Sequence, residues 1–338
     1  MRRLCLAALV LALLVGGCAA PAAEPRPRLQ PTAAGPTSEP ARPLQRVAIG
    51  TSGPSLSWLP SQLAWTVGYF REEGLDVEFV QVGGTSMVPA LLSGELTLTT
   101  IISPVGANAG QGGDGRIVQM HVLRVQHVLS VRPEITAIEQ LAGKRIAVQN
   151  LGTLTAHEAR KVVEHFALAD VAVIAVGGDL ERIAAMETGA ADANVSNIPG
   201  NLVAERRGFP TLLRISTILD IPTGGYGTSL THLREQPDVV ARLLRATARA
   251  LPGMTRQREL VTSTIEAFMD LPPEDAVRAY EMVADTYSPN GVPTEAQMAA
   301  YLDLLRATAG LPAETTAAQV ADFTVARRVA QELGLPSQ

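Results

Sequence analysis

From Arg46 onward, short apolar runs alternate with segments whose apolar residues recur at helical spacing. That is the pattern of an α/β fold built on largely parallel sheets. Residues 46–49 (RVAI) read as a strand, and a Ser/Gly/Pro loop then leads into a helix over about 59–73 that Gly74 stops. A strand at 76–81 precedes Gly83-Gly84 and a helix over about 85–93, which Gly94 ends before a third strand at 96–100. Residues 117–131 are β-rich throughout, too long for one ordinary strand, and are expected to cross between two lobes. A second βα series follows: strand 145–148, helix 154–166, strand 171–176, helix 180–188 and strand 193–195. After Tyr226 the pattern is nearly all helical, with starts at Pro237, Pro272 and Thr294. No repeat with the period of a solenoid or propeller is visible.

The N-terminus has a different pattern. Arg2 and Arg3 precede an apolar stretch from Leu4 to Val15, which is shorter than the roughly 20 residues that span a bilayer. Val15-Gly16-Gly17-Cys18 resembles the bacterial lipobox, in which an aliphatic and two small residues precede a cysteine that is lipidated and becomes the new N-terminus. Residues 1–17 are therefore expected to be a lipoprotein signal peptide and Cys18 the lipidation site. Residues 18–45 are rich in Pro, Ala, Ser and Thr without hydrophobic periodicity, the composition of a flexible linker.

Composition narrows the function classes. The 338 residues are 46% hydrophobic and 18% charged, enough to form a large core and too apolar for wholesale disorder. The only long apolar run is at the N-terminus, so a polytopic membrane protein is not expected. The formal charge is −5, and no basic block stands out, so nucleic acid is not an expected partner. The two cysteines are Cys5, inside the removed segment, and Cys18, which leaves no thiol for a disulfide or a cysteine-ligated metal.

Few motifs carry chemistry. Gly110-Gln111-Gly112-Gly113-Asp114-Gly115 matches G-x-G-x-x-G in form, but it precedes a strand instead of following one and opening a helix, so it reads as a surface loop. The only lysines, Lys144 and Lys161, sit in no Walker A sequence. His157 and His165 lie eight apart and do not make a zincin pair, whereas His121 and His127 fall on one face if a single strand carries both, with no third ligand nearby. No metal and no cofactor is expected. Glu72-Glu73 reads as solvated charge, and Arg242, Arg245 and Arg249 as an exposed helix face.

Four segments together carry a resemblance: Gly68-Tyr69-Phe70-Arg71-Glu72-Glu73-Gly74-Leu75-Asp76-Val77-Glu78, Ala90-Leu91-Leu92-Ser93-Gly94-Glu95-Leu96, Leu141-Ala142-Gly143-Lys144-Arg145-Ile146-Ala147-Val148 and Met186-Glu187-Thr188-Gly189-Ala190-Ala191-Asp192-Ala193. In order and spacing they resemble the nitrate/sulfonate/taurine-type solute-binding proteins of ABC importers, which share their fold with proteins for thiamine-pyrimidine precursors. The resemblance implies an α/β, two-lobe type II periplasmic-binding-protein fold, each lobe a mostly parallel sheet flanked by helices, with a C-terminal helical segment. It places residues 46–128 and 226–338 in one lobe and 129–225 in the other, with hinges near Val128 and Tyr226. It implies a monomeric, non-enzymatic receptor, lipid-anchored to the outer side of a bacterial membrane, that hands a small molecule to an ABC permease. Alternatives are an enzyme of cofactor biosynthesis on the same fold or a ligand-presenting sensor lipoprotein. Pyrimidine-synthesising relatives carry a cysteine-rich motif, which this chain lacks.

Ligands of open parallel sheets sit at the carboxyl ends of strands, where loops lead into helix N-termini. The loops expected there supply Ser57 and Trp58, Thr85 and Ser86, Thr100 and Ile101, Gly152, Thr153 and Thr155, Asn197 and Tyr226 as candidate ligand-binding residues. The six segments (55–58, 83–86, 99–103, 150–155, 196–199 and 223–226) contain no Asp, Glu, Lys or Arg. Hydroxyls, amides and backbone N–H groups hold an oxyanion at a helix start or hydrogen-bond a neutral heterocycle. The expectation is thus a sulfonate- or nitrate-like anion, or an aromatic heterocycle stacked on Trp58 or Tyr226, with no salt bridge required.

Overall fold

The computed structural model describes residues 43–337. The expected signal peptide, Cys18 and the linker as far as residue 42 lie outside the described residues. The strands are β1 (Gln45–Thr51), β2 (Leu75–Gln81), β3 (Leu98–Thr99), β4 (Gly115–Val122), β5 (His127–Val131), β6 (Arg145–Val148), β7 (Ala172–Ala175), β8 (Ala193–Asn197), β9 (Thr211–Arg214) and β10 (Gly224–Ser229). They form two five-stranded sheets, β2-β1-β3-β10-β4 and β7-β6-β8-β5-β9. β1 runs parallel to β2 and β3, and β6 parallel to β7 and β8. β10 is antiparallel to both its neighbours, and so is β5. In each sheet, then, four strands point one way and the fourth in order points back.

The reversed strand is in each case the one that arrives from the other sheet. β4 ends at Val122, and residues 123–126 lead to His127, which pairs with Asn197 at the end of β8. β9 ends at Arg214, and residues 215–223 return to Gly224, which pairs with Val122 at the end of β4. Both crossings therefore join the carboxyl-terminal edges of the two sheets. Extended chain reaches at most about 3.6 Å per residue, so the short link holds the edges within roughly 18 Å of each other where it crosses. A strand that enters at the edge where its neighbours end has to run against them, which explains both reversals.

Helices α1 (Leu59–Thr66), α2 (Tyr69–Glu72), α3 (Gly84–Ser93) and α4 (Ile102–Gly110) belong to the first sheet. α5 (Leu154–His165), α6 (Asp179–Glu187) and α7 (Gly200–Arg206) belong to the second. The C-terminal series is α8 (Leu230–Glu235), α9 (Pro237–Ala250), α10 (Gly253–Arg256), α11 (Arg258–Met269), α12 (Pro273–Val283), α13 (Glu295–Ala309), α14 (Ala317–Val320) and α15 (Thr324–Glu332). The single helix expected over 59–73 is two, because Gly68 adopts a left-handed φ of 85° between α1 and α2. The run 110–115 follows α4 and feeds β4 as expected, and it is anchored: the side chain of Asn108 accepts from the Gly115 N–H.

Two charge assignments are corrected. Glu72 and Glu73 are not simply solvated, and Arg242, Arg245 and Arg249 are not a free face. Arg242 reaches the Glu73 carbonyl and the Gln45 side chain, and Arg245 lies between Glu73 at 3.2 Å and Glu332 at 2.8 Å. Arg249 pairs with Glu72 at 2.5 Å and stacks over the Tyr69 ring, 4.1 Å from its centroid. The amphipathic α9 buries Val240, Leu243 and Leu244, and its arginines clamp α2 across the rim of that contact. The C-terminal helices also reach the second sheet. Asp275 and Arg278 of α12 pair with Arg206 and Glu205 of α7, and α13 packs on both α4 and α5.

The Gly224-Gly225 pair opens β10 because nothing larger fits. A Cβ on Gly224 would lie 2.2 Å from the Ser57 carbonyl oxygen, and one on Gly225 2.1 Å from the Gln119 carbonyl oxygen. Backbone on both sides cannot yield as a side-chain tip would. Gly225→Ala is expected to lower the free energy of unfolding by about 3 kcal/mol in urea titrations. An unchanged midpoint would show that β10 has room that this packing denies it.

Candidate functional site

The first sheet's carboxyl-terminal edge carries three loops. After β1, Ser55 caps a short 3-10 turn, Leu56–Trp58, by accepting from the Ser57 N–H, and the two serine hydroxyls lie 2.9 Å apart. After β2, α3 starts at Gly84 without a side-chain cap, leaving Thr85 and Ser86 exposed. After β3, α4 starts at Ile102, also uncapped, with Ile101 half-buried. Thr100 is buried, and its hydroxyl donates to the Gly50 carbonyl at 3.3 Å.

Both candidate stacking aromatics are core residues here. Trp58 is 4% exposed, packed against Phe79 and Phe268 with centroids 4.9 and 4.6 Å away, and its Nε1–H donates to the Gly53 carbonyl. These contacts hold the loop after β1 in place. Tyr226 is fully buried; its hydroxyl donates to Ser61 Oγ at 2.7 Å and bonds Thr247 Oγ1, and its ring meets the edge of His121. Burial pushes the Tyr226 phenol up to about 12 and the His121 imidazole down to about 3, so both are neutral. His121 and His127 do not share a strand: His121 is the last residue but one of β4, and His127 opens β5 of the other sheet.

The second edge holds a hollow of about 180 Å³, lined by His127, Gln149, Thr153, Leu154, Thr155, Gly178, Asp179, Arg182 and Asn197. Thr153, Thr155 and Asn197 were anticipated; the structure brings these three together. Gly152 lies beside them on the exposed turn, its N–H bonded to Asn150 Oδ1. The Thr155 hydroxyl accepts from the Gln149 N–H and lies 2.9 Å from that of Thr153, which in turn donates to the Asn150 carbonyl. Because Thr153 is turned that way, the first N–H groups of the 12-residue α5 have no side-chain cap.

Charge reaches this hollow from elements outside the six loops, which corrects the electrostatic premise. Arg182 lies one turn into α6, is 3% exposed, and each of its three nitrogens makes one bond: Asn194, the Gly177 carbonyl and the Asp179 carboxylate all accept from it. His127 stands at the start of β5, and its Nδ1 lies 2.8 Å from Oε1 of Glu158, a carboxylate that is wholly buried on α5. Burial alone would lower the His127 pKa, but the Glu158 charge and hydrogen bond outweigh it, Asp179 adds to them and Arg182 subtracts, so the net direction is upward. Reading loops alone missed these groups, although a histidine directly after a crossing was a signal available in the chain.

If Trp58 is structural, Trp58→Ala is expected to lower unfolding stability by about 3–5 kcal/mol, the usual cost of emptying a large aromatic site. Trp58→Phe should recover most of that loss, and urea unfolding measures both. Full stability in the alanine variant would contradict the packing role.

Comparison with known proteins follows from this geometry. The structure is similar to the periplasmic sulfonate-binding protein SsuA of Methylobacillus flagellatus KT, with 16% identity, a TM-score of 0.69, and 86% of this chain and 96% of that one covered. It is similar to the periplasmic nitrate-binding protein NrtA of Synechocystis PCC 6803, at 15% identity and TM-score 0.64 over 86% and 89% of the two chains. A mutant of the enzyme DszB in complex with biphenyl-2-sulfinic acid matches at 17% identity and TM-score 0.63, over 85% and 99%. At these identities the likeness establishes the fold, the two-lobe arrangement expected from the sequence. No curated protein matches the chain in sequence. The profile of the NMT1/THI5-like family matches residues 58–259 of the 338, and the chain belongs to that family.

Proposed function

We propose that this protein is a solute-binding receptor: it captures a small oxyanion or aromatic heterocycle between the carboxyl-terminal edges of its two sheets and delivers it to an ABC permease. The observation that carries the proposal is the placement of uncapped helix starts at both edges, with the two crossings tying those edges together. Such a site binds without chemistry. Closure draws on contacts that the ligand makes only when both edges reach it. Two structural neighbours are named for sulfonate and nitrate binding, which favours an anion of that kind. The enzyme DszB was solved as a cysteine-to-serine mutant. Here the two cysteines are Cys5 and Cys18, both before the folded body, so cysteine chemistry has no place at these edges.

The N-terminal reading completes the proposal. Cleavage before Cys18 and lipidation there would hold the body at the outer side of a bacterial membrane, with residues 18–45 as the tether to a monomeric receptor. The tether would let the body dock and undock at a permease without losing its anchor.

Thermal unfolding against a panel of alkanesulfonates, nitrate, pyrimidines and flavin precursors tests the binding function. A true ligand at a hundredfold excess over its Kd stabilises the protein by roughly 2.7 kcal/mol, a rise of several degrees in Tm. Turnover of any panel member into a new product would instead place the protein with the enzymes of this fold.

A further inference from the structure

His127 is the first residue after the outward crossing, and it lines the hollow at the second edge. Its Nδ1 is committed to Glu158 at 2.8 Å, while among the described residues nothing is bonded to Nε2, and the side chain keeps 20% of its surface open. Glu158 sits behind it with no exposed surface, and its second oxygen, Oε2, meets no donor. The Glu158 carboxylate beside Nδ1 favours the protonated imidazole through its charge and its hydrogen bond. Glu158 thereby orients the ring and draws a proton onto it.

The other charged groups facing His127 are Asp179 and Arg182 of α6, which neutralise one another. Gln149, Thr153, Thr155 and Asn197 are neutral. With both ion pairs internally balanced, the donors the hollow can turn to an anion are the uncapped start of α5 and the free Nε2–H of an imidazolium. We infer that His127 selects an oxyanion, with a single negative head group of the sulfonate or nitrate kind, by donating from Nε2, and that Glu158 is the positioning residue that keeps it protonated to do so. This rests on the solute-binding function proposed above, and it chooses the anion over the neutral heterocycle.

The choice has a pH signature. If only the imidazolium form accepts the anion, binding takes up a proton above the His127 pKa, and affinity falls up to tenfold for each further pH unit. A neutral heterocycle held by hydroxyls and amides would show no such fall. Since the His127 pKa lies above its ordinary value, the fall in affinity should begin at a higher pH than a free imidazole would give.

Calorimetric titration of the folded protein with ethanesulfonate, taurine and sodium nitrate, from about pH 6 to about pH 9, tests this, with NMR of the His127 ring alongside. Expected are an alkaline fall in affinity, net proton uptake in buffers of different ionisation enthalpy, and a further rise of the His127 pKa on saturation. Glu158→Gln should retain binding at low pH while moving the fall to lower pH. Since His127→Asn strands a buried carboxylate, the double variant His127→Asn/Glu158→Gln is the test of the ring itself. It should fold, bind weakly and lose the pH dependence. Oxyanion affinity that is flat with pH, or equal in the double variant, overturns the inference and leaves the solute-binding function standing. A neutral pyrimidine as the only ligand overturns it likewise. Failure of all three oxyanions and of every neutral panel member removes both.

Discussion

Everything in this structure depends on how the chain passes between its two sheets. Both crossings leave and enter at carboxyl-terminal edges, and this forces β5 and β10 to run against their neighbours. The same constraint brings the two sets of helix N-termini towards one another, and it places His127 and the Gly224-Gly225 pair directly at the junctions. The helices after β10 reinforce the arrangement. α13 rests on α4 of the first sheet and α5 of the second, so the two helices whose starts frame the edges share one support. Tyr301 and Leu305 of α13 press against Gly106 of α4, where a Cβ would lie 2.9 Å from the leucine and 3.1 Å from the tyrosine oxygen.

The electrostatics of the second edge are economical. Arg182 and Asp179 cancel, as do His127 and Glu158, so the hollow carries no net charge of its own. What it offers is direction: the helix N–H groups at the start of α5 and, in the imidazolium form inferred above, one ring N–H. Arg182 bonds Asn194, the Gly177 carbonyl and Asp179, which braces it under α6.

Most of the fold was legible in the chain. The strand at 145–148 and the helix start at Pro237 match residue for residue, and the overlong 117–131 stretch does divide at a crossing. What escaped were elements whose residues are chosen for close approach and not for apolar periodicity. α4 (ISPVGANAG) is built from small residues because α13 lies against it, so its pattern is faint. α7 and β9 are short, and each is held by a partner far away in sequence, α7 by ion pairs to α12 and β9 by pairing with β5. At the site, three polar loop residues were readable because helix starts are signalled locally. Trp58 and Tyr226 were not, since whether an aromatic at a loop faces inward depends on partners such as Phe268 and Thr247, far away in sequence. The charged pairs were hidden for the same reason: Glu158 and Arg182 point back from the second turns of their helices.

The central claim is that a solute is held jointly by both carboxyl-terminal edges. Hydrogen-exchange mass spectrometry, with and without the solute that raises Tm most, measures this directly. Exchange should slow together in 52–58, 83–86 and 100–103 of the first sheet and in 149–156 and 178–182 of the second, because one ligand orders both sets of loops. Protection confined to one edge, or appearing at the opposite ends of the strands, would contradict a site formed between the two sheets.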